Sequence, residues 1–332
     1  MSSCMPLILC SLVDRISDIL TVTIWCSSSS KRNLRGVKSP SVEHDDISCM
    51  GIFNVVSIIR GTPFVKCYLN YNRTNVRSKE GIPDMKRNIC VTLQYDGTGY
   101  SGWQRQGNTG NTIENKLATC LNRMTDNKQN IEVHGSGRTD AGVHAMGQTA
   151  NFHIDSEKTP DEIMGYLNQY LPEDIRILSA SYVDDRFHAR LSATGKTYLY
   201  RIDNSEKADV FMRKYSYHHA EKLDIVLMRE VAEAFVGKHD FMSFSDMKNA
   251  KKSTIRMINS VDITRECGII NIEFDGNGFL YHMVRKMTAA LIEAGAGRMN
   301  VDDMLGVMEQ RNRQAFKLIA PAKGLTLKEV RY

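Results

Sequence analysis

No pair of the eight cysteines in this 332-residue chain is spaced as C-x-x-C, and five of them (Cys4, Cys10, Cys26, Cys49 and Cys67) precede residue 85. That pattern excludes a zinc knuckle and a thioredoxin-like redox pair. A chain nearly free of cysteine beyond residue 85 fits a reducing compartment. The nine histidines also lack metal-ligand spacing: His218 and His219 are adjacent, and consecutive strand residues face opposite ways. Neither a metal nor an organic cofactor is expected. Long apolar runs are missing too. Residues 7–25 are broken by Asp14, Arg15 and Asp18, whereas a membrane span needs about 20 nearly uncharged residues. No basic stretch precedes Leu7, which argues against a signal peptide. The cytoplasm is the expected compartment, with organellar targeting by the first 84 residues as the alternative.

What is present reads as a globular protein: 42% hydrophobic residues, 24% charged, and length for two domains. The net charge of +5 is uneven, because residues 1–84 hold ten Lys/Arg against seven Asp/Glu. Local clusters therefore carry more information than the total. Residues 247–261 hold Lys248, Lys251, Lys252 and Arg256 with no acid, and residues 310–328 hold five basic groups with none. Arg186, His188, Arg190, Lys196 and Arg201 alternate with Phe187, Tyr198 and Tyr200. Any one cluster is explained by a solvated face. Three of them, interleaved with aromatics, suit a phosphate backbone and an unstacked base.

Residues 1–84 combine a serine run at 27–30, a basic patch (Lys31, Arg32, Arg35, Lys38) and unpatterned apolar runs. They read as a poorly ordered extension outside the catalytic fold, with Met85 a natural beginning for the rest. Two subdomains are expected after it, 85–190 and 191–332. Alternation of Ile89, Val91, Leu93 and Tyr95 with polar neighbours predicts a half-buried strand. Helices are expected over 112–125, 160–170, 223–236 and 278–294. The second is announced by Thr159-Pro160-Asp161-Glu162, an N-cap, a first-turn proline and a capping-box glutamate. Strands are expected near 131, 150–154, 175–183, 197–202, 258–265 and 269–274, the last two pairing across Glu266-Cys267-Gly268. Each half then follows β-α-β-β-α-β, the ferredoxin-like plan. The expected fold is α+β, two such units whose sheets meet at a central cleft.

The most informative segment is Gly135-Ser136-Gly137-Arg138-Thr139-Asp140-Ala141-Gly142-Val143-His144. Apolar alternation on both sides makes it a strand, a tight loop and a strand. Asp140 in a glycine-rich loop can be a turn former bonded to nearby N–H groups, and Arg138 a surface ion pair. The same loop also presents a carboxylate and a guanidinium side by side where a substrate reaches both.

The string resembles the active-site motif of TruA-type tRNA pseudouridine synthases. Further stretches resemble that family in the same order: 95–106 (Tyr95-Asp96-Gly97 through Arg105-Gln106), Phe187-His188-Ala189-Arg190 with 193–200, Gly237-Lys238-His239-Asp240-Phe241, and Phe279-Leu280-Tyr281-His282-Met283-Val284-Arg285. The resemblance spans 87–332. It implies a pseudouridine synthase fold, a cofactor-independent isomerase acting on tRNA, anticodon stem-loop positions 38–40 as targets, and a homodimer. It assigns Asp140 as the catalytic nucleophile; assistance in removing a sugar proton is the other route open to a carboxylate. An ionised carboxylate at neutral pH calls for a neighbouring cation, which the resemblance places at Arg285 rather than Arg138. Tyr198 is implied to stack on the uracil, and Arg138 to hold phosphate or fill the space of a flipped base. Arg105, Arg190, Lys196, Lys251 and Lys252 are the further RNA-contact candidates. The alternatives are a synthase of this scaffold acting at other tRNA positions, a non-catalytic RNA-binding module, and a nucleosidase using Asp140 as base.

Overall fold

The computed structural model describes residues 86–247 and 253–332. The expected extension at 1–84, and Lys251 and Lys252, lie outside the described residues. Strand β1 (Arg87–Tyr95) alternates as read, burying Ile89, Val91, Leu93 and Tyr95. Helix α1 (Ile113–Met124) is capped by Thr112, and α2 (Pro160–Tyr170) carries the full Thr159/Glu162 capping box. Such caps satisfy N–H groups that the first helical turn leaves unpaired, at about 1 kcal/mol each. Strands β2 (Val133–Gly135), β3 (His144–Ile154) and β4 (Ile175–Tyr182) complete the first unit. Leu117, Leu121, Ile163 and Leu167 from the two helices share its apolar core with β1 and β3.

The second unit is built the same way. It contains β5 (Gly195–Asp203), the short β6 (Tyr217–His218), α3 (Ile225–Glu233), β7 (Gly237–Asp240), β8 (Ile255–Glu266), β9 (Ile269–Gly276), α4 (Met283–Gly295), α5 (Val301–Glu309) and β10 (Leu325–Arg331). Strands β8 and β9 pair antiparallel across Cys267 and Gly268, both at positive φ. Four elements had no reading in the sequence: β6, β7, α5 and β10.

One continuous ten-stranded sheet results, in the order β4-β1-β3-β10-β5-β9-β8-β7, with β2 on β3 and β6 on β5. The order β4-β1-β3 repeats in β10-β5-β9, so the two units are topological copies. They fuse where β10 lies parallel to β3, Thr326 opposite His144 and Leu327 opposite Ala145. The expected meeting of two sheets is thus a seam inside one sheet.

Helix α4 begins at Met283, not at Gly278 as the apolar periodicity suggested. His282 adopts a left-handed conformation, φ 64°, which cannot continue an α-helix backward. Its apolar stripe is as read, with Met283, Met287, Leu291 and Ala294 all buried.

Candidate active site

The loop between β2 and β3 lies beside the seam and is held from several directions. Ser136 Oγ donates to Gln148 Oε1 at 2.6 Å, and Gln148 Nε2 donates to the Gly137 carbonyl at 2.9 Å. The Trp103 N–H donates to the Thr139 carbonyl at 3.0 Å, while the Thr139 and Tyr95 hydroxyls share a hydrogen bond of 2.8 Å. The Val143 N–H then closes a turn on the Asp140 carbonyl at 3.1 Å, with Gly142 at φ 78°. Gly102 presses on this loop at φ 93°; a β-carbon there would lie 2.7 Å from the Thr139 oxygen. At the far end, His144 Nδ1 accepts the Gly97 N–H at 3.1 Å, so Nε2 carries the hydrogen given to the Lys214 carbonyl at 2.9 Å. Burial pushes the His144 imidazole down from its ordinary value, against the pull of Asp96.

Asp140 therefore emerges from a fixed backbone. Its Oδ2 accepts from Arg285 Nη1 at 2.9 Å and lies 3.5 Å from His282 Nε2. Among the described residues, its Oδ1 accepts no hydrogen bond. Arg285, on the first turn of α4, also donates Nε to the Ala320 carbonyl at 2.8 Å, which fixes the guanidinium plane. The loop of one unit and a helix of the other thus supply the two halves of one ion pair.

These residues line a cleft of roughly 550 Å³. Tyr198 reaches it from β5, 8% exposed, its ring edge-on to Phe279 at 5.2 Å between centroids. Burial pushes its hydroxyl up, and Tyr95 and Asp140 add to that direction. At neutral pH the group is consequently a phenol able to donate. Arg138 and Arg190 line the same cleft, both exposed. Lys196 also lines it, giving one hydrogen to the Ser136 carbonyl at 2.7 Å. Burial, helped by Arg190 and Arg256, pushes the Lys196 ammonium down to about 8. Arg105 is not among the lining residues; its N–H donates to Glu114 Oε2 at 2.9 Å. A larger cavity of roughly 660 Å³ opens around Asp96, His144, Arg201 and Tyr215, and contains neither Asp140 nor Tyr198. Volume alone does not mark the site.

Three members of the constellation had no reading in the sequence. His282 stands in the Phe279–Arg285 string but carried no assigned role. Asp246 and Lys286 bind each other at 2.6 Å, and nothing in their spacing links them to Asp140. Arg256, noted only as part of a basic cluster, lines the cleft. Among the described residues no group of three or more His, Cys, Asp or Glu is placed to hold a metal ion, and no helix is long and apolar enough to cross a membrane.

Residues 91–191 and 231–332 match the family model described as tRNA pseudouridine synthase. The chain is 44% identical over 245 residues to tRNA pseudouridine synthase A 2 of Bacillus cereus, covering 74% of this chain and 99% of that relative. It is 46% identical over 246 residues to tRNA pseudouridine synthase A 1 of Clostridium tetani, covering 74% and 100% respectively. A chain from a crystal structure of a Cbf5-Nop10-Gar1 complex matches at 10% identity with a TM-score of 0.28, covering 64% of this chain and 55% of its own, and adds no weight. On the family model and the two full-length relatives, this chain belongs to the tRNA pseudouridine synthase family.

Proposed function

We propose that this chain isomerises uridine to pseudouridine in tRNA with Asp140 as the catalytic carboxylate. The family supplies the reaction class, an isomerisation, and tRNA as the substrate class. The observation that carries the role of Asp140 is the asymmetry of its two oxygens. Arg285 engages Oδ2 at 2.9 Å, while Oδ1 is left without a hydrogen bond among the described residues.

In this reading the target uridine leaves its stack and enters the cleft, its base against Tyr198 and Phe279. The Asp140 carboxylate attacks C1′ of the ribose, and the N1–C1′ bond breaks with its electron pair leaving on the uracil. The uracil turns in place, and its C5 displaces the carboxylate to form the new C–C bond. The proton on C5 is then lost and N1 gains one. No atom is gained or lost. A cationic mouth formed by Arg138, Arg190, Lys196 and Arg256 holds the flanking phosphates. TruA-type motifs support the anticodon stem-loop, positions 38–40, as the target, and a homodimer working in the cytoplasm.

Carbodiimide labelling with mass mapping of tRNA, before and after incubation with the protein, tests the reading. The expected result is new pseudouridine at positions 38–40 with no release of free uracil. Asp140→Asn and Asp140→Ala should abolish it while largely sparing tRNA affinity. Activity surviving either change would sink the role of Asp140, and release of uracil would favour a nucleosidase.

A further inference from the structure

His282 is a histidine in a backbone conformation that suits glycine or asparagine. At φ 64° and ψ 1° it precedes α4 in the left-handed region, and its side chain makes no capping bond to the helix. Non-glycine residues persist there when the surroundings hold them, and they gather at functional sites.

What holds this one is a pair of carboxylates. His282 Nδ1 lies 2.6 Å from Asp246 Oδ2, and Nε2 lies 3.5 Å from Asp140 Oδ2. A carboxylate only accepts, so Nδ1 carries a hydrogen toward Asp246. The second ring nitrogen, Nε2, faces Asp140 Oδ2.

Asp246 is itself anchored. Its Oδ1 accepts from Lys286 Nζ at 2.6 Å, and Lys286 is 2% exposed with a further bond to the Phe316 carbonyl at 3.0 Å. Burial pushes the Asp246 carboxyl up, but the bonds from Lys286 and His282 outweigh it and hold it below the ordinary range. Tyr281 covers the ring face, 3.7 Å between centroids. The charged and titratable groups around His282 are thus Asp140 from the β2–β3 loop, Asp246 from the segment after β7, and Tyr281, Arg285 and Lys286 from its own stretch.

We propose that His282 is a positioning residue: with Arg285 it clamps Oδ2 of Asp140, so that Oδ1 is the oxygen presented to the nucleotide. The inference rests on Asp140 being the reacting carboxylate. It goes beyond that role by assigning the acid a fixed orientation, supplied by a three-residue chain through Asp246 to buried Lys286.

Backbone strain makes the role separable from packing. His282→Gly and His282→Asn both relieve the left-handed conformation and both remove the bridge. The expected result is a thermal midpoint no lower than that of the unsubstituted protein, an unchanged KM for tRNA, and kcat reduced by about tenfold or more. Asp246→Asn should lower kcat similarly, and the double variant should be no worse than the weaker single, because the two act as one unit. A kcat in His282→Gly within about threefold of the original, where a lost clamp costs tenfold, overturns the proposal. So does a kcat loss matched by a fall in thermal midpoint, or additive losses in the double variant. If neither His282 variant folds, Asp246→Asn decides alone: kcat within about threefold overturns the clamp, and a tenfold loss at unchanged KM upholds it. Asp140→Ala is assayed beside them. Pseudouridine made by Asp140→Ala removes the reading underneath, whereas an inactive Asp140→Ala with a fully active His282→Gly removes only the clamp.

Discussion

Arg285 stands 145 residues from Asp140 in sequence and 2.9 Å from it in space. Its guanidinium bridges the carboxylate and the Ala320 carbonyl, a fixed fork that an ammonium cannot copy. Arg285→Lys should therefore lower kcat by about tenfold despite keeping the charge, and Arg285→Met by about a hundredfold. Steady-state kinetics with tRNA measure both, and KM should move little. Wild-type kcat in Arg285→Met would remove the ion pair from the chemistry.

Lys196 gives opposite pH trends for binding and for stability. Its ammonium is pushed down to about 8 in the free protein, and a bound phosphate favours the charged form. Affinity for tRNA should be fully present below pH 8 and fall above it, by up to about tenfold per pH unit. In the free protein the unfolded chain holds this proton up to its ordinary value, more tightly than the folded one. Stability should consequently rise with pH from about 8 upward. Lys196→Met should flatten both trends, as read by fluorescence titration of tRNA and by denaturant unfolding across pH.

The His144 imidazole, pushed down by burial, predicts acid sensitivity with the same origin in a lower pH range. Unfolded chain takes up its proton first as pH falls through the ordinary histidine range. Stability from this site is present above that range and lost below it. Unfolding of His144→Gln between pH 7 and pH 5 should show a shallower loss than the parent protein.

Gly102 is where the 96–110 loop leans on the carboxylate loop. Gly102→Ala places a methyl 2.7 Å from the Thr139 oxygen at a backbone φ of 93°. The cost should be about 1–3 kcal/mol of stability, and kcat should fall with it because Thr139 directly precedes Asp140. Denaturant unfolding and turnover assays on one preparation check both. A neutral Gly102→Ala would show that the loop can move freely.

A chain beginning at Met85 should bind tRNA and turn over as the full chain does. The relatives align over 245 residues that make up 99% of the Bacillus cereus protein, so they need no counterpart of the first 84. Loss of soluble, active protein on that truncation would assign those residues to the fold.

Local chemistry explains which elements were legible. Thr159-Pro160-Asp161-Glu162 writes its own helix start, and the period-two burial of β1 is visible in any window that contains it. Strand β10 is not, because Leu325, Thr326 and Leu327 are all buried and lose the alternation that marks an exposed sheet. The start of α4 was misplaced because apolar spacing says nothing about the left-handed His282. In the site, resemblance supplied Asp140, Tyr198 and Arg285, each lying inside a motif. Asp246 and Lys286 were invisible: they meet only because the segment after β7 packs on α4, a contact that no spacing encodes.

Strand β10 carries a consequence for how the protein is made. The ribosome delivers it after the nine other strands of the described residues, yet its place is between β3 and β5, in the middle of the sheet. While the chain is still growing, β3 at His144 and Ala145 and β5 over residues 195–200 present unpaired backbone, the kind of surface that invites pairing with other chains. The two units can form early, but the cleft that joins Asp140 to Arg285 closes only when this late strand slots in. Assembly of the site thus waits on β10, and a growing chain that lacks this strand exposes sheet edges beside an incomplete cleft.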